Sequence, residues 1–472
     1  MKLNYKSYTT VALLCATTFF SCKKDSSSDP IPEEEKQTVV LSGDITSNTD
    51  LDTKNNYLLK GKVYVKNGAT LTIPQGITVT VEPNSSAEDK SALIVTSGSK
   101  LNINGTADQP VVFTSAASSK APGDWIGIIV LGKASTNGTG GKLHVSGLPS
   151  TADTEFGGST DADNSGSIKY LRVEYAGGLN PAMETEWALD QASGLSLNGV
   201  GSGTVLEHVM VKHSNDDGFQ FVGGTVNGKY LIGYNNGDDN FDFDRGYRGN
   251  LQFVVSYRTV GSTVAIRANG IESLNDQAAS DAKPYTRPVI SNMTIVGPSD
   301  DTPITDQSQG IYIRRNTRFV VENSIIAGYS DGGLMMCPKT RPLLTENKGS
   351  IFKFNLVHAD SEARAFTYDN GPTGVVIVDD PEVKAWAIQS TAGAMEVPSL
   401  NRNEVIKQAA DLKIKTLYAA AGPDLSLADG SAALTGANFD DTELSSFEKV
   451  TFRGAVSAAN NWTAANAWLS WN

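Results

Sequence analysis

Ser214-Asn-Asp-Asp-Gly-Phe-Gln-Phe221 returns 22 residues later as Asn236-Gly-Asp-Asp-Asn-Phe-Asp-Phe243, and this repeat decides how the chain is read. A second pair, Gly310-Ile-Tyr-Ile313 and Gly333-Leu-Met-Met336, is offset by 23, and Asn67-Gly-Ala-Thr-Leu-Thr-Ile73 recurs 30 on as Ser97-Gly-Ser-Lys-Leu-Asn-Ile103. A period of 22 to 24 residues is about one turn of a parallel β-helix, whose units bury their apolar faces only against neighbouring units. Alternation within each strand sends Phe219, Phe221, Phe241 and Phe243 inward and Gln220 and Asp242 outward. The 22-residue register places Leu197, Phe219 and Phe241 in one column, Phe221 over Phe243 in a second, and Val209, Leu231 and Phe253 in a third. Stacked at about 4.8 Å, such columns make a continuous core. From Val39 onward short β-branched runs alternate with Gly, Asn and Asp, which fits strands throughout and argues against a doubly wound sheet. The expected fold is all-β, a right-handed parallel β-helix over residues 38–380.

The two ends of such a rod need covers, since an open turn exposes strand edges and apolar interior. Residues 39–60 are expected to form an N-terminal cover, and 381–472 a small helical, Trp-rich C-terminal cap. In the cap, the run from Asn403 to Leu417 has helical periodicity, with Asn401 or Asn403 as N-cap and Gly422-Pro423 as the stop. Trp462, Trp468 and Trp471 are expected to form a hydrophobic lid on the last coil, the alternative being a carbohydrate platform.

Ahead of the rod lies an export signature. Lys2 and Lys6 precede the apolar run Val11-Ala-Leu-Leu-Cys-Ala-Thr-Thr-Phe-Phe20, then Ser21 and Cys22. A run of about ten residues is half of what a spanning helix needs, so residues 1–21 read as a cleaved signal peptide. Residues 22–37 hold Lys23-Lys24-Asp25 and a Ser/Pro/Glu tract with almost no apolar content, a flexible tether with a reach of roughly 20 Å. Cleavage would remove two of the 39 basic residues and none of the 52 acidic ones, leaving a net charge of −15, which argues against nucleic acid as partner. Of three cysteines, Cys15 lies in the signal and Cys22 at its end, so Cys337 has no partner for a disulfide or a cysteine zinc site. His144, His208, His213 and His358 show no metal-binding spacing.

Phe19-Phe20-Ser21-Cys22 resembles the lipobox of bacterial lipoproteins, although the commonest form has Leu three residues before the Cys. The resemblance implies acyl chains on Cys22, and more than one chain gives stable anchoring. Gly61-Lys-Val-Tyr-Val-Lys-Asn-Gly-Ala-Thr-Leu-Thr-Ile73, Ala121-Pro-Gly-Asp-Trp-Ile-Gly-Ile-Ile-Val-Leu-Gly132, Asn215-Asp-Asp-Gly-Phe-Gln-Phe221 with Gly223-Gly-Thr-Val-Asn227, and Val450-Thr-Phe-Arg-Gly-Ala455 together resemble a group of Bacteroidota outer-membrane lipoproteins. That resemblance, which covers nearly the whole mature chain, implies the β-helix, lipid anchoring at the outer membrane and company with TonB-dependent nutrient uptake, while Lys24-Asp25 followed by acids partly resembles the surface-export signal of Bacteroidota lipoproteins, which implies surface exposure. It implies no activity and carries over no site residues.

The candidate site is acidic. In the 22-residue register Asp216 stacks on Asp238 and Asp217 on Asp239, with Asp242 and Asp244 close by. Like charges one strand apart repel by roughly 3 to 4 kcal/mol at an effective dielectric of 20. Three arrangements would offset this: a Ca²⁺ held by Asp216, Asp217, Asp238, Asp239, Asp242 and Asp244, pairing with Lys212, Lys229, Arg245 or Arg248, or a carboxyl with a raised pKa. Asn215-Asp216-Asp217 followed by Asp238-Asp239 resembles the paired acidic motifs of pectin-hydrolysing β-helix enzymes, which would make Asp216, Asp217, Asp238 and Asp239 catalytic. Those enzymes continue with Gly-His-Gly and Arg-x-Lys, whereas this chain has Tyr257-Arg-Thr-Val-Gly-Ser-Thr-Val264 and Ile313-Arg-Arg-Asn316. The remaining possibility is that the Asp side chains only cap turns. The preferred expectation is a non-catalytic surface lipoprotein that binds a nutrient, glycan or protein partner. Its rival is a polysaccharide hydrolase or lyase.

Overall fold

The computed structural model describes residues 36–83, 90–178, 193–260, 262, 267–298, 307–359, 361–371, 376–388, 401–419, 422–464 and 466–472. The expected signal peptide, Cys22 and most of the tether lie outside the described residues. Gln37–Asn472 is one compact unit, and among the described residues no helix is long and apolar enough to cross a membrane.

The fold is a right-handed parallel β-helix. Each coil contributes a short strand to one sheet, as in Leu195–Asn198, Phe219–Val222, Phe241–Asp244, Ile271–Ser273, Ile311–Ile313, Leu334–Met336 and Phe366–Asp369, all paired in parallel. The second sheet is built from long strands such as Gly166–Glu174, Val205–Lys212, Gly228–Tyr234, Asn250–Tyr257 and Val289–Val296. Each long strand bends at one residue in the left-handed region. Tyr170, His208, Tyr230, Phe253 and Asn292 all have φ between 51° and 59°, and Asn323 and Phe354 repeat the bend in the next coils. Strand pairing steps over the bent residue, so Lys169 meets Glu207 and Leu171 meets Val209. A left-handed residue with a side chain costs on the order of 1 kcal/mol, and it persists here because the coils above and below bend at the same place.

The Phe repeat has the predicted register, with Phe219 paired to Phe241 and Phe221 to Phe243, and their rings stack at 4.8 and 5.2 Å. Two columns need correction. Phe219 sits on Leu195 and Leu197 under Phe221, because that coil is two residues longer; a shift of two leaves Leu197 facing inward. Val254, not Phe253, continues the Val209–Leu231 column, since Phe253 is the bent residue and points out of the core.

The predicted N-terminal cover is the first coil itself. Gln37–Leu41 pairs with Asn55–Leu59, and that strand pairs with Thr78–Val81. The C-terminal predictions fail in two places. Glu404–Ile406 is a strand paired with Leu356–Ala359, and Ala409–Leu412 is a single 3₁₀ turn, so there is no helix over 403–417. Asn403 is a rung between coils rather than an N-cap. Its amide donates to Phe352 O and Ala387 O, both at 2.9 Å, and its Oδ1 accepts from Asn355 N at 3.0 Å. The helix that does pack against the end of the core is Pro381–Ala387, capped by Asp380 Oδ1 accepting from Val383 N at 3.0 Å, with Val383 and Ala387 in the main core.

The tryptophans do not cover the last coil. They run back along the flank of the middle coils, where the bent residues form an external ladder of stacked rings: Tyr170 on His208 at 4.3 Å, His208 on Tyr230 at 4.4 Å, Tyr230 on Phe253 at 5.2 Å. Trp468 meets Tyr170 and His208 edge-on, Trp462 meets Tyr230, and Trp471 meets Tyr234 and Tyr257. Trp468 and Trp471 are buried, which also removes them as a carbohydrate platform.

Candidate functional site

The short-strand sheet positions the acidic cluster. Gly194, Gly218, Gly270, Gly310 and Gly333 each precede a short strand, where a Cβ at Gly218 would lie 2.3 Å from the Asn236 amide and one at Gly310 2.4 Å from Ile326. One residue before this column, in which Asn240 takes the glycine's place ahead of Phe241, stand Asp217, Asp239, Asn269 and Gln309. They form a ladder along the rod. Asp217 Oδ1 accepts from Asp239 N at 3.1 Å, Asp239 Oδ1 from Asn269 N at 2.5 Å, and Asn269 Oδ1 from Gln309 N at 2.8 Å.

Two of the four predicted catalytic carboxyls therefore hold backbone N–H groups of the next coil, which is the turn-capping role. Burial, followed by the charges of Asp216 and Asp242, holds Asp217 well above the usual carboxylate range. Burial, then Asp238 and Glu272, does the same for Asp239. A protonated carboxyl at these rungs resembles the amides that occupy the next two.

Asp216 and Asp238 are only half-buried. Burial and the neighbouring Glu272 push Asp238 up to about 6, against the opposing pull of Arg258, Arg267 and Arg314. Carboxylate oxygens of Asp216, Asp217 and Asp238 lie within 4.8 Å of one another, so these three could share a hard cation; Asp239, Asp242 and Asp244 are not in that group.

Asp242 belongs instead to a column of outward residues that crosses the sheet from coil to coil: Ser196, Gln220, Asp242, Glu272, Tyr312, Met335 and Thr367. Asp244 lies in the adjacent column after Asn198 and Val222, 3.6 Å from Arg245. Arg314 grips both oxygens of Glu272 at 3.1 and 3.2 Å and lies 5.0 Å over the Tyr312 ring, whose hydroxyl donates to Asp369 at 2.8 Å.

Of the cations expected to pair with the cluster, only Arg245 does so. Lys212 donates to Ser470 at 3.0 Å and to Asn472, Lys229 lies 3.8 Å from Glu448, and Arg248 lies 3.1 Å from Asp161. Glu272 and Tyr312 were missed as site residues by sequence reasoning, and Arg314 entered only within Ile313-Arg-Arg-Asn316, a poor match to Arg-x-Lys. Aligning Gly270-Ile-Glu-Ser273 with Gly310-Ile-Tyr-Ile313 on their glycines would have found the first two, but 30- and 40-residue coil offsets conceal that alignment.

Fold and site together define a parallel β-helix protein whose short-strand sheet carries a row of carboxylates and amides on its outer face. The chain belongs to the pectate-lyase-like β-helix domain family, which matches residues 43–392. No curated protein sequence matches it. Among solved structures it is similar to an alginate lyase from Paenibacillus sp. str. FPU-7, at 14% identity over 62% of this chain and 76% of that chain, with a TM-score of 0.21.

Proposed function

We propose that this protein is an outer-membrane lipoprotein, anchored through lipid on Cys22 and exposed at the cell surface, which binds a polysaccharide along the outer face of its short-strand sheet. Its role is that of a non-catalytic accessory to nutrient uptake or surface interaction, in company with a TonB-dependent receptor. The observation that carries the reading is the column Ser196–Gln220–Asp242–Glu272–Tyr312, which sets one polar side chain per coil in a line along the rod, half-buried at Glu272 and buried at the other four. A glycan chain advances by roughly one strand spacing per sugar, so successive coils can meet successive residues. The loss of Asp217 and Asp239 to turn capping weighs against the four-carboxyl catalytic centre. Affinity electrophoresis against neutral and acidic polysaccharides tests the reading, which expects retardation in at least one neutral gel; no retardation in any gel would contradict it. Replacing Cys22 by Ser should abolish incorporation of labelled fatty acid.

One observation favours hydrolysis as a second reading. Burial and the neighbouring Glu272 push Asp238 up to about 6, so it keeps its proton into mildly acid pH with a second carboxyl close by, the arrangement from which an acid and its partner are made. Release of reducing ends from the bound polysaccharide, lost in Asp238→Asn, would establish it. The cation that Asp216, Asp217 and Asp238 would suit is Ca²⁺, and a melting temperature unchanged between calcium and chelator would dismiss it.

A further inference from the structure

The N-terminal part of the short-strand sheet is built differently from the acidic row. Lys142–His144 and Glu155–Gly157 form an antiparallel hairpin outside both main sheets. Its Val145 and Phe156 pack on Ala92, Ile94, Ile129, Leu131 and Val222 of the sheet's outer face. Lys142 pairs with Glu155 at 2.5 Å across the hairpin, and Lys66 joins Asp153 of its loop to the rod at 3.1 Å. The hairpin is thus a wall across the sheet, apolar beneath and held at its loop.

At the edge of that wall lies a cavity of about 320 Å³, lined by His144 and Phe156 from the hairpin, Ser196, Asn198 and Gln220 from the sheet, and Arg245. Asn198 is 3% exposed, and its Nδ2 donates to nothing among the described residues. A buried amide without an acceptor costs on the order of 1 to 3 kcal/mol, so a site that keeps one is built to meet an acceptor from outside. Ser196 and Gln220 are the first two members of the outward column that continues into Asp242 and Glu272 on the next coils. The cavity and the acidic row are therefore one track, closed at the hairpin.

We infer that the cavity seats the terminal sugar of a neutral glycan, so that the protein recognises chain ends rather than chain interiors; this rests on the glycan-binding reading above. The volume suits one or two sugar rings. Amide and hydroxyl groups of Asn198, Gln220 and Ser196 match the mixed donors and acceptors of sugar hydroxyls, while Phe156 and Val222 supply apolar wall. Arg245, the one arginine among the described lining residues, lies 3.6 Å from Asp244, and Asp242 and Asp244 follow on the next coil, a poor setting for an anionic terminal sugar.

The test uses the mature chain with cello-, manno- and xylo-oligosaccharides of two to eight residues and oligogalacturonates as the charged control, each with free ends or with a bulky fluorophore on the reducing or the non-reducing end. Two variants accompany the wild type. Asn198→Leu keeps the side-chain size and removes the donor, and Ser150→Trp obstructs the mouth from an exposed hairpin position. The expected result is binding of a neutral series that is lost when one particular end is blocked, with both variants at least tenfold weaker at unchanged melting temperature. Equal binding of end-blocked and open oligosaccharides, or full affinity in Ser150→Trp, would overturn chain-end recognition while leaving glycan binding intact. Wild-type protein that binds none of the series would overturn both.

Discussion

The two outer faces of the rod are furnished in opposite ways. On the long-strand sheet the outward residues are Met210, Ile232, Tyr234, Phe253, Val255 and Tyr257, and residues from Ala409 to Trp471 pack over them. A second patch, Val289 and Val320, is covered by Phe439, Leu444 and Phe447. On the short-strand sheet the outward column is Ser196, Gln220, Asp242, Glu272 and Tyr312. The same backbone pattern thus supports a protein–protein seam within the chain on one flank and a polar track on the other. Side-chain choice at outward positions, which the inner core leaves unconstrained, separates the structural flank from the candidate binding flank.

The comparison breaks first on the covered flank. Trp468→Ala should destabilise the protein by about 3 to 5 kcal/mol in denaturant titration, because it removes a buried ring from the Tyr170–His208 ladder. A change below about 0.5 kcal/mol would mean that the C-terminal segment is not a working cover.

The next effect is a dependence on pH beneath that cover. Glu322 is fully buried, neither of its oxygens has a hydrogen-bond partner among the described residues, and burial together with nearby Asp441 pushes its carboxyl up to about 8 against the pull of Lys353. The folded pKa exceeds the unfolded one, so this stabilisation is complete at acid pH and is lost as pH rises through about 8. Glu322→Gln should therefore be the more stable form at pH 9, by on the order of 2 kcal/mol, and lose that advantage towards pH 4. An identical pH profile for the two proteins would contradict the buried acid.

A smaller effect is expected on the polar flank. Asp217→Asn keeps an acceptor for Asp239 N and removes a carboxyl whose pKa is raised, so stability should fall less steeply as pH rises above 4, with a gain of about 1 kcal/mol at pH 8. Loss of stability at both pH values would show that Asp217 works as a carboxylate.

Much of this arrangement was legible in the sequence because aromatic residues at spacing two have only one way to share a core. Phe219, Phe221, Phe241 and Phe243 established strand direction, register and the outward placing of Gln220 and Asp242. The same pattern misled at Leu197 and Phe253, where an extra pair of residues and a left-handed bend change the count without disturbing the apolar alternation. Asn403 carries an N-cap signature, yet tertiary contacts with Phe352 and Ala387 use its amide as a rung. The acidic cluster was found as a set but not sorted, since one ladder accepts Asp217, Asp239, Asn269 and Gln309 alike. Glu272 stayed hidden because an insertion separates it from the 22-residue repeat.

The central claim is that the polar track binds glycan, and the double variant Gln220→Ala/Asp242→Asn tests it most directly. Both residues lie in the outward column, away from the main core and the C-terminal cover. With the neutral polysaccharide that the wild type retains best in affinity gels, the double variant should bind at least tenfold more weakly while melting within a few degrees of the wild type. Unchanged affinity in this variant, or affinity lost instead on altering the Trp468 flank, would contradict the account.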